Sequence, residues 1–279
     1  MPRAALVAFA VFALVAPARA DRVAPIASPV QRALRSPVVV VGKVTSIEKE
    51  TVDAPLYPGS TNKVAHKIAV VKVETGLAGA ENLTHIKIGF VTPAAGLRRG
   101  PDNPELKEGH EWLFFVTKHS DNGFYSIPYL TPPVESKAGD YKAQVESVKK
   151  ALAAIADPAK AMKAEKAEDR YNAAVAIVYN LRSVPEGTRG EIEQVPLTAE
   201  ESRPLLKALT EGPWKSMIAS QAFNGFSVFS MLGLEEADGW KQPEPRAGQE
   251  FVEQTREAFA KWLDGAGKDY RIKKIVPKK

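Results

Sequence analysis

Hydrophobic residues follow two different periods along this chain, and the period changes near Gly139. Before that point, short apolar stretches alternate with polar residues at every second position, which is the pattern of half-buried β-strands. The pattern predicts five strands, at residues 36–47, 64–75, 83–90, 111–118 and 124–130. Because no stretch long enough for a helix separates them, we expect a small antiparallel five-stranded barrel rather than a parallel sheet.

The first predicted strand, at residues 36–47, organises this half of the chain. Residues 38–41 are all valine, which predicts burial on both faces, and alternation begins after Gly42. A glycine in the middle of a strand is a common position for a bulge or a bend. We therefore expect this strand to bend at Gly42 and the other strands to close around it.

Two connections in this half carry turn signals. Residues 51–63 are rich in Pro, Gly, Ser and Asn, which predicts a loop between the first two strands. Asn122-Gly123 separates the last two strands, and this dipeptide favours a tight hairpin turn with positive φ angles.

The apolar pattern of the strand-rich half resembles that of netrin-like domains. The segments that carry the resemblance are Pro-Val-Val-Val-Val-Gly-Lys-Val at 37–44, Ile-Ala-Val-Val-Lys-Val-Glu-Thr-Gly-Leu-Ala-Gly at 68–79, Leu-Thr-His-Ile-Lys-Ile at 83–88, and Lys-Glu-Gly-His-Glu-Trp-Leu-Phe-Phe-Val at 107–116. The resemblance covers residues 38–130 and implies an OB-like barrel of the kind found in tissue inhibitors of metalloproteinases, in a domain at 37–135. Those inhibitors use an N-terminal cysteine and disulfides. This chain has no cysteine, so protease inhibition does not carry over.

Residues 139–266 are rich in Ala, Lys and Glu and follow the 3.6-residue period of amphipathic helices. Predicted helices lie at 141–155, at 158–181 after an Asp157 N-cap, after the Thr198 capping box, within 214–234 with an interruption near Asn224, and at 249–263. We expect an irregular helical bundle following the barrel, and hence an α+β protein. Residues 267–279 form a basic tail that we expect to be solvated.

Residues 1–20 have the features of a secretory signal peptide. An n-region with Arg3 precedes an apolar run at 4–16 and an Ala-x-Ala site, which predicts cleavage after Ala20. We therefore expect a periplasmic or extracellular protein that begins with a mobile leader at 21–36. No later stretch is apolar for the roughly 20 residues that a membrane-spanning helix needs, so we expect no span after cleavage.

Charge gives little support for a broad polyanion-binding surface. The net charge is +5, but residues 268–279 hold six basic residues against the single acidic Asp269. The rest of the chain is therefore close to neutral. Nucleic acid is an unlikely partner on this ground.

Catalytic and metal-binding motifs are absent or incomplete in the sequence. His110-Glu111 begins like a zinc-protease motif, but Phe114 stands where the second histidine belongs, and the segment is predicted to be a strand. A metal cluster of the four histidines, His66, His85, His110 and His119, is conceivable because they all fall in the strand-rich half. We expect no cofactor.

Binding is the function that this pattern favours. Barrels of this type accept extended ligands in a surface groove, and the candidate contacts are Lys67, Lys72, Lys87, Phe90 and Tyr125. The leading hypothesis is a non-catalytic binding protein whose partner is a protein or glycan of the cell envelope. Two alternatives stay open: a hydrolytic or metal-assisted enzyme whose site is assembled from distant residues, and a polyanion-binding module.

Overall fold

The computed structural model describes residues 26–56, 60–92, 103–119, 122–185, 188, 190–214 and 223–278. The predicted signal peptide at 1–20 and the first part of the leader lie outside these residues. So does the middle of the apolar segment at 214–234.

Seven strands of the first half form one mixed sheet. They are β1 (Val38–Ile47), β2 (Val52–Pro55), β3 (Lys63–Ala78), β4 (His85–Val91), β5 (Glu111–Lys118), β6 (Tyr125–Ser126) and β7 (Val134–Glu135). The five predicted strands are present as β1, β3, β4, β5 and a much shorter β6. β2 lies inside the stretch predicted to be a loop, and it pairs with one end of β3.

Five of these strands close into a ring in the order β1-β3-β4-β6-β5 and back to β1. Neighbours are antiparallel except β4 and β6, which run parallel through Ile88 and Tyr125. The prediction of a purely antiparallel arrangement is wrong at this junction. The reason is topological, because strand directions cannot alternate all the way round a closed ring with an odd number of members.

β1 pairs with β3 along one edge and with β5 along the other. The pairing with β5 is regular, whereas the pairing with β3 shifts register between Val41 and Gly42, so the irregularity predicted at Gly42 is confirmed. A Cβ atom on Gly42 would lie 2.6 Å from Cγ1 of Val71 and 2.9 Å from the carbonyl oxygen of Lys72. Glycine stands at this position because β3 approaches too closely for a side chain.

Both faces of β1 are buried at its beginning, which explains the all-valine run. Val38 and Val40 point into the ring, where they contact the inward side chains of β3, β4 and β5. Val39 and Val41 point outward and are covered by two helices, α1 (Pro29–Arg35) and α2 (Tyr141–Ala156). The helical half is thereby attached to the ring.

The expectation of a mobile leader is wrong for its second part, which forms α1. The Ser28 hydroxyl accepts a hydrogen bond from the backbone N–H of Gln31, and the Gln31 side chain accepts one from the Ser28 N–H. Pro29 stands at the first helical position. This capping box and proline are standard helix-start signals.

The turn predicted at Asn122-Gly123 differs from expectation. β5 ends at Lys118 and β6 begins at Tyr125, so the connection is longer than a two-residue hairpin, and part of it lies outside the described residues. Gly123 does not have a positive φ angle. The short β6 therefore does not depend on the tight turn that the dipeptide favours.

The second half is helical, as predicted. Its further helices are α3 (Pro158–Ala161), α4 (Ala167–Arg182), α5 (Ala199–Leu209), α6 (Gly225–Leu232) and α7 (Phe251–Asp264). The predictions of α2, α5 and α7 are confirmed, and Asn224 caps α6 through bonds from the N–H groups of Phe226 and Ser227. In the described part of the chain, no helix is long and apolar enough to cross a bilayer.

The single helix predicted after Asp157 is instead two helices, α3 and α4. The Asp157 side chain accepts a hydrogen bond from the N–H of Lys160 at 3.0 Å, as an N-cap should. The break follows because Arg170 folds back and donates to the carbonyls of Ala164 and Glu165 at 2.7 and 2.8 Å. These bonds satisfy carbonyl groups that a continuous helix would have paired internally.

A cluster of aromatic rings forms the core of the helical half. Trp214, Phe229 and Phe259 are in mutual contact, with ring centroids 5.0 to 5.7 Å apart. Nearby, the buried hydroxyl of Tyr171 donates to the carbonyl of Pro213 and accepts from the N–H of Gly225, both at 2.8 Å.

Five of the thirteen residues of the predicted tail form a strand, whose side chains are exposed or half-buried. β8 (Ile192–Pro196) and β9 (Lys273–Pro277) form a two-stranded antiparallel ribbon. Arg182 anchors it, because its Nη1 donates to the Lys273 carbonyl at 2.5 Å and to Oε1 of Gln194 at 3.1 Å, while its Nε donates to the Met231 carbonyl at 2.7 Å. Pairing and anchoring together order a segment whose composition predicts solvation.

Candidate functional site

The open outer side of β1, β3 and β4 carries a row of basic side chains, Lys43, Lys72 and His85, which we call the basic row. Lys43 lies directly opposite Lys72 in the pairing of β1 with β3, and Lys72 lies directly opposite His85 in the pairing of β3 with β4. All three residues are exposed. Directly opposite residues in an antiparallel pair have Cβ atoms about 5 Å apart, so the three side chains stand next to one another.

Strand alternation explains why the basic row is exposed. Val44 and Val71, which neighbour Lys43 and Lys72 in sequence, are fully buried inside the ring. The outward side chains of β1 that contact α1 and α2 are Val39 and Val41, so the helical cover ends before Lys43. The row is the part of the outer sheet surface that these two helices leave open.

Three carboxylates lie near the basic row. Glu74 is exposed two positions along β3 from Lys72 and forms no ion pair with a described residue, whereas the other two already have partners. Glu111 is opposite Lys43 in the pairing of β1 with β5, and its Oε1 accepts a hydrogen bond from the Tyr141 hydroxyl at 3.0 Å. Burial and then this hydrogen bond raise the pKa of Tyr141, which keeps the hydroxyl protonated as a donor. Glu48 is ion-paired with Lys87 at 2.7 Å. Among the residues that the structure describes, no carboxylate forms an ion pair with the basic row.

The five residues predicted to contact a ligand do not lie together. Lys72 and Lys87 are exposed on the same outer side of β3 and β4. Lys67 is also exposed, but it is an odd number of positions from Lys72 in a regularly paired stretch and so points to the other side of β3. Phe90 is 4% exposed in the ring core, and Tyr125 is half-buried against that core. Two of the predicted lysines therefore remain on the open outer surface.

Sequence reasoning missed Lys43 and His85 because the basic row exists only across strands. Each lies in a predicted strand, where Lys43 was an ordinary polar position and His85 was predicted only as a possible metal ligand. Their alignment with Lys72 depends on two strand registers, one of which shifts beside Gly42. The available signal was that Lys43 is the first polar residue after the apolar run, which marks where the outer surface of β1 opens.

Two of the four histidines meet at one end of the ring. The rings of His66 and His119 are buried, their centroids are 6.5 Å apart, and both contact the ring of Phe124. His119 Nε2 lies 3.2 Å from the Pro55 carbonyl oxygen, and its Nδ1 lies 3.3 Å from the Asn122 amide nitrogen. The His119 ring therefore donates to the first group and accepts from the second. This links β2 to the connection between β5 and β6.

The electrostatic environment of His66 and His119 is typical of histidines that pack in a protein core. Burial lowers the pKa of His66, and the charge of a protonated His119 would lower it further. Hydrogen bonds with the backbone of Val64 and Val52 and the charge of Asp53 act in the opposite direction but are outweighed by burial. Within the described ranges, no group of three or more His, Asp or Glu side chains is placed to hold a metal ion. This part of the chain therefore provides no set of ligands for the hypothesis of a metal site assembled from distant residues.

His110 immediately precedes β5, and the rest of its motif lies in that strand, in agreement with the prediction. Its Nδ1 is 2.8 Å from Oε1 of Glu135, and its Nε2 is 3.3 Å from Nζ of Lys137. The carboxylate orients the imidazole, as in a catalytic dyad. Among the described residues, no hydroxyl group hydrogen-bonds to this imidazole.

A groove of about 1,200 Å³ lies in the helical half, between α1, α2, α3 and α4. Alanine side chains form much of its wall, and an ion pair between Lys150 and Asp169, at 3.2 Å, crosses its rim. Its lining includes no residue of β1, β3 or β4, so the groove and the basic row are separate features.

Comparison with known proteins gives no family assignment for this chain. No family model matches it, and no curated protein matches it either. The basic row is exposed, and its two lysines form no ion pair with the residues that the structure describes, so it is the feature on which a function can be argued.

Proposed function

We propose that this protein is a non-catalytic binding module, exported to the periplasm or the cell exterior, that holds an extended anionic partner against its basic row. The partner is a protein segment or a glycan of the cell envelope. One observation carries the proposal: Lys43 and Lys72 lie directly opposite each other on an open sheet surface, and neither is ion-paired within the described residues.

Folding alone gives no reason for this arrangement. Cross-strand pairs change stability by roughly 0.2–1 kcal/mol, and like charges in directly opposite positions are unfavourable. Lys43 and Lys72 are both exposed, so neither compensates by burying its side chain. A bound anion would remove the repulsion and would be attracted by both ammonium groups at once.

The topology of the ring supports the same proposal. We propose that the ring is an OB-like barrel, as in netrin-like domains, because five strands close around β1 with a single parallel junction. OB-like barrels bind extended ligands on the face formed by their second and third strands. Those strands correspond to β3 and β4 here, and Lys72, His85 and Lys87 lie on their outer side.

A local basic row also fits the overall charge better than a general polyanion surface does. The net charge of +5 is concentrated near the C-terminus, much of it in β9 and its flanks. Removal of that segment is a poor test of polyanion binding, because it would also remove one strand of the β8–β9 ribbon. Substitution within the basic row leaves the ribbon intact.

The test is binding of the mature chain to two anionic probes, poly-L-glutamate and alginate, with neutral dextran as the reference. We expect the double substitution Lys43→Gln and Lys72→Gln to weaken binding to at least one anionic probe by about tenfold or more, which corresponds to about 1.4 kcal/mol. The matched control is Lys67→Gln, an exposed lysine of β3 on the other side of the strand, which should change affinity less than twofold.

Two further readouts separate a lost contact from a damaged fold. Affinity of the unsubstituted protein should fall as salt is raised, because exposed charge interactions are screened. The double variant should be at least as stable to urea as the unsubstituted protein, because a repulsive pair has been removed. Equal affinity of the double variant and the control, or no preference for the anionic probes over dextran, would refute the proposal.

A further inference from the structure

The basic row has a direction, and this direction limits the kind of chain that can bind to it. Its side chains, Lys43, Lys72 and His85, follow one another across β1, β3 and β4 rather than along one strand. Neighbouring strands lie about 4.8 Å apart, so the row is roughly 10 Å long. Along β3 the positive charge ends, because Glu74 is exposed two positions from Lys72. An anionic chain therefore meets the most favourable charges when it crosses the strands.

The backbone beneath the two lysines has no free edge. Lys43 is paired on both sides, with Lys72 of β3 and with Glu111 of β5. Lys72 is likewise paired with Lys43 and with His85 of β4. A peptide that binds by adding a strand to a sheet needs a free edge, because main-chain hydrogen bonds give it much of its affinity. A peptide lying across Lys43 and Lys72 would form no such bonds with the sheet.

The basic row also lacks the apolar anchors of a protein interface. The exposed large hydrophobic side chains among the described residues are Ile26, Leu56, Tyr129, Val184, Ile192 and Val195. None of these six belongs to β1, β3 or β4. The nearest apolar neighbour of Lys72 along the same side of β3 is Val70, which is half-buried. Interfaces between proteins have an apolar core, and a few large anchor residues dominate their binding energy. The surface around the row offers a protein partner little of either.

Hydroxyl groups lie beside the row instead. Thr45 is exposed two positions after Lys43, and its hydroxyl donates to the Val70 carbonyl at 3.1 Å, so its oxygen can still accept a hydrogen bond. Oγ1 of Thr84 lies 3.3 Å from Nδ1 of His85. When this hydroxyl donates to Nδ1, Nε2 of His85 carries the proton and can donate to a ligand. Donors and acceptors of this kind are what the hydroxyl groups of a sugar bind.

We propose that the partner held by the basic row is an acidic glycan, with an anionic group on its successive sugar units, that lies across β1, β3 and β4. Such a chain supplies both the negative charge and the hydroxyl groups that this surface can bind, and it needs neither a free strand edge nor an apolar anchor. Lys43 and Lys72 bind its anionic groups, and His85 donates to an anionic group or to a hydroxyl. This inference rests on the proposed function, since it names the partner of the same site.

Three probes of equal length separate a glycan from a peptide. Hexamannuronate carries carboxylates on a sugar backbone, mannohexaose of the same linkage is that backbone without carboxylates, and hexa-L-glutamate carries side-chain carboxylates on a peptide. In titration calorimetry with the mature chain, we expect hexamannuronate to bind about tenfold more tightly than mannohexaose and at least about threefold more tightly than hexa-L-glutamate. A smaller preference over hexa-L-glutamate would overturn the glycan inference and leave the proposed function in place. If neither anionic probe binds more tightly than mannohexaose, both proposals fail.

Substitutions and NMR spectra test the direction in which the glycan lies. Lys43→Gln, Lys72→Gln and His85→Gln should each weaken hexamannuronate binding by about threefold, as expected for exposed charge and hydrogen-bond contacts. The control Lys67→Gln, on the other side of β3, should change affinity less than twofold. Glu74→Gln should strengthen binding by about twofold, because it removes a repulsive carboxylate. With the unsubstituted chain, hexamannuronate should shift the amide signals of all three strands around the row. Shifts confined to one strand, or a His85→Gln variant that binds as tightly as Lys67→Gln, would overturn the crossing arrangement.

Discussion

Substitution of Gly42 by alanine tests how closely β1 and β3 approach each other in the ring. The added methyl group would lie 2.6 Å from Cγ1 of Val71 and 2.9 Å from the carbonyl oxygen of Lys72, whereas ordinary contacts begin near 3.4 Å. Val71 is fully buried, and the Lys72 carbonyl is part of the backbone of a paired strand. Neither group can move away freely. Overpacking of this kind costs roughly 1–3 kcal/mol, and we expect about 2 kcal/mol for Gly42→Ala.

Urea unfolding of the mature chain, followed by far-ultraviolet circular dichroism, measures this loss. For a domain of this size, about 2 kcal/mol corresponds to a fall in Tm of roughly 4–8 °C, which a thermal scan checks independently. Gly139→Ala is the matched control, because a methyl group there has no heavy atom within 4 Å. Its stability should be unchanged or raised by up to about 1 kcal/mol.

A double substitution shows how much of the loss in stability comes from the contact with Val71 and how much from the contact with the Lys72 carbonyl. In a Val71→Ala background, the methyl group added at Gly42 meets no Cγ1, so Gly42→Ala should cost less there than in the unsubstituted chain. If the cost is the same in both backgrounds, the Lys72 carbonyl is the dominant obstacle. If Gly42→Ala is as stable as Gly139→Ala, β3 moves aside without cost, and the close approach of the two strands would be refuted.

Three further substitutions test other parts of the structure. Burial holds the pKa of His66 below its ordinary value, so the contribution of the neutral imidazole to stability should be fully present above about pH 6.5 and should be lost as the pH drops through the lowered pKa. His66→Gln should flatten this dependence of Tm on pH. An unchanged slope in the variant would contradict the prediction. Tyr171→Phe leaves the Pro213 carbonyl and the Gly225 N–H without the hydroxyl that bonds each of them at 2.8 Å. Urea unfolding should therefore show a decrease of roughly 1–3 kcal/mol in the free energy of unfolding. An unchanged free energy would mean that another group replaces the hydroxyl. Arg182→Met should speed hydrogen exchange in β9 far more than in β1, and equal effects on both strands would show that Arg182 does not anchor the ribbon locally.

The strand-rich half was predictable wherever a strand was long enough to show its period. β1, β3, β4 and β5 each have seven or more residues. Alternation marks β3 and β4, whereas the first half of β1 and most of β5 are continuous apolar runs. β2 and β7 have four and two residues, too few for a period, and they exist because longer strands offer them free edges. The closure of the ring depends on which strands pair with each other. The hydrophobic pattern does not contain that information, so it could not predict the parallel junction of β4 and β6.

The helical half was predictable from local signals and failed where tertiary contacts override them. The Thr198 capping box marked the start of α5 because its hydrogen bonds lie within one turn. The break between α3 and α4 depends on Arg170 reaching back to two carbonyl groups, in a segment whose composition favours a continuous helix. The ribbon of β8 and β9 joins segments far apart in sequence, so the composition of β9 did not predict its pairing, although its lysines are exposed.

The packing of α1 and α2 on the ring determines where the basic row begins. The two helices cover the outward valines of β1 and leave Lys43 at the edge of that cover, which fixes how much of the outer sheet surface is open. Arg32 of α1 donates to the carbonyl oxygen of Pro132 and lies 4.8 Å from the centroid of the Phe115 ring, so this helix is held on the ring by polar and apolar contacts together. Substitutions that weaken this packing should therefore change how the basic row is exposed, whereas substitutions within the row should leave the packing of the helices unchanged.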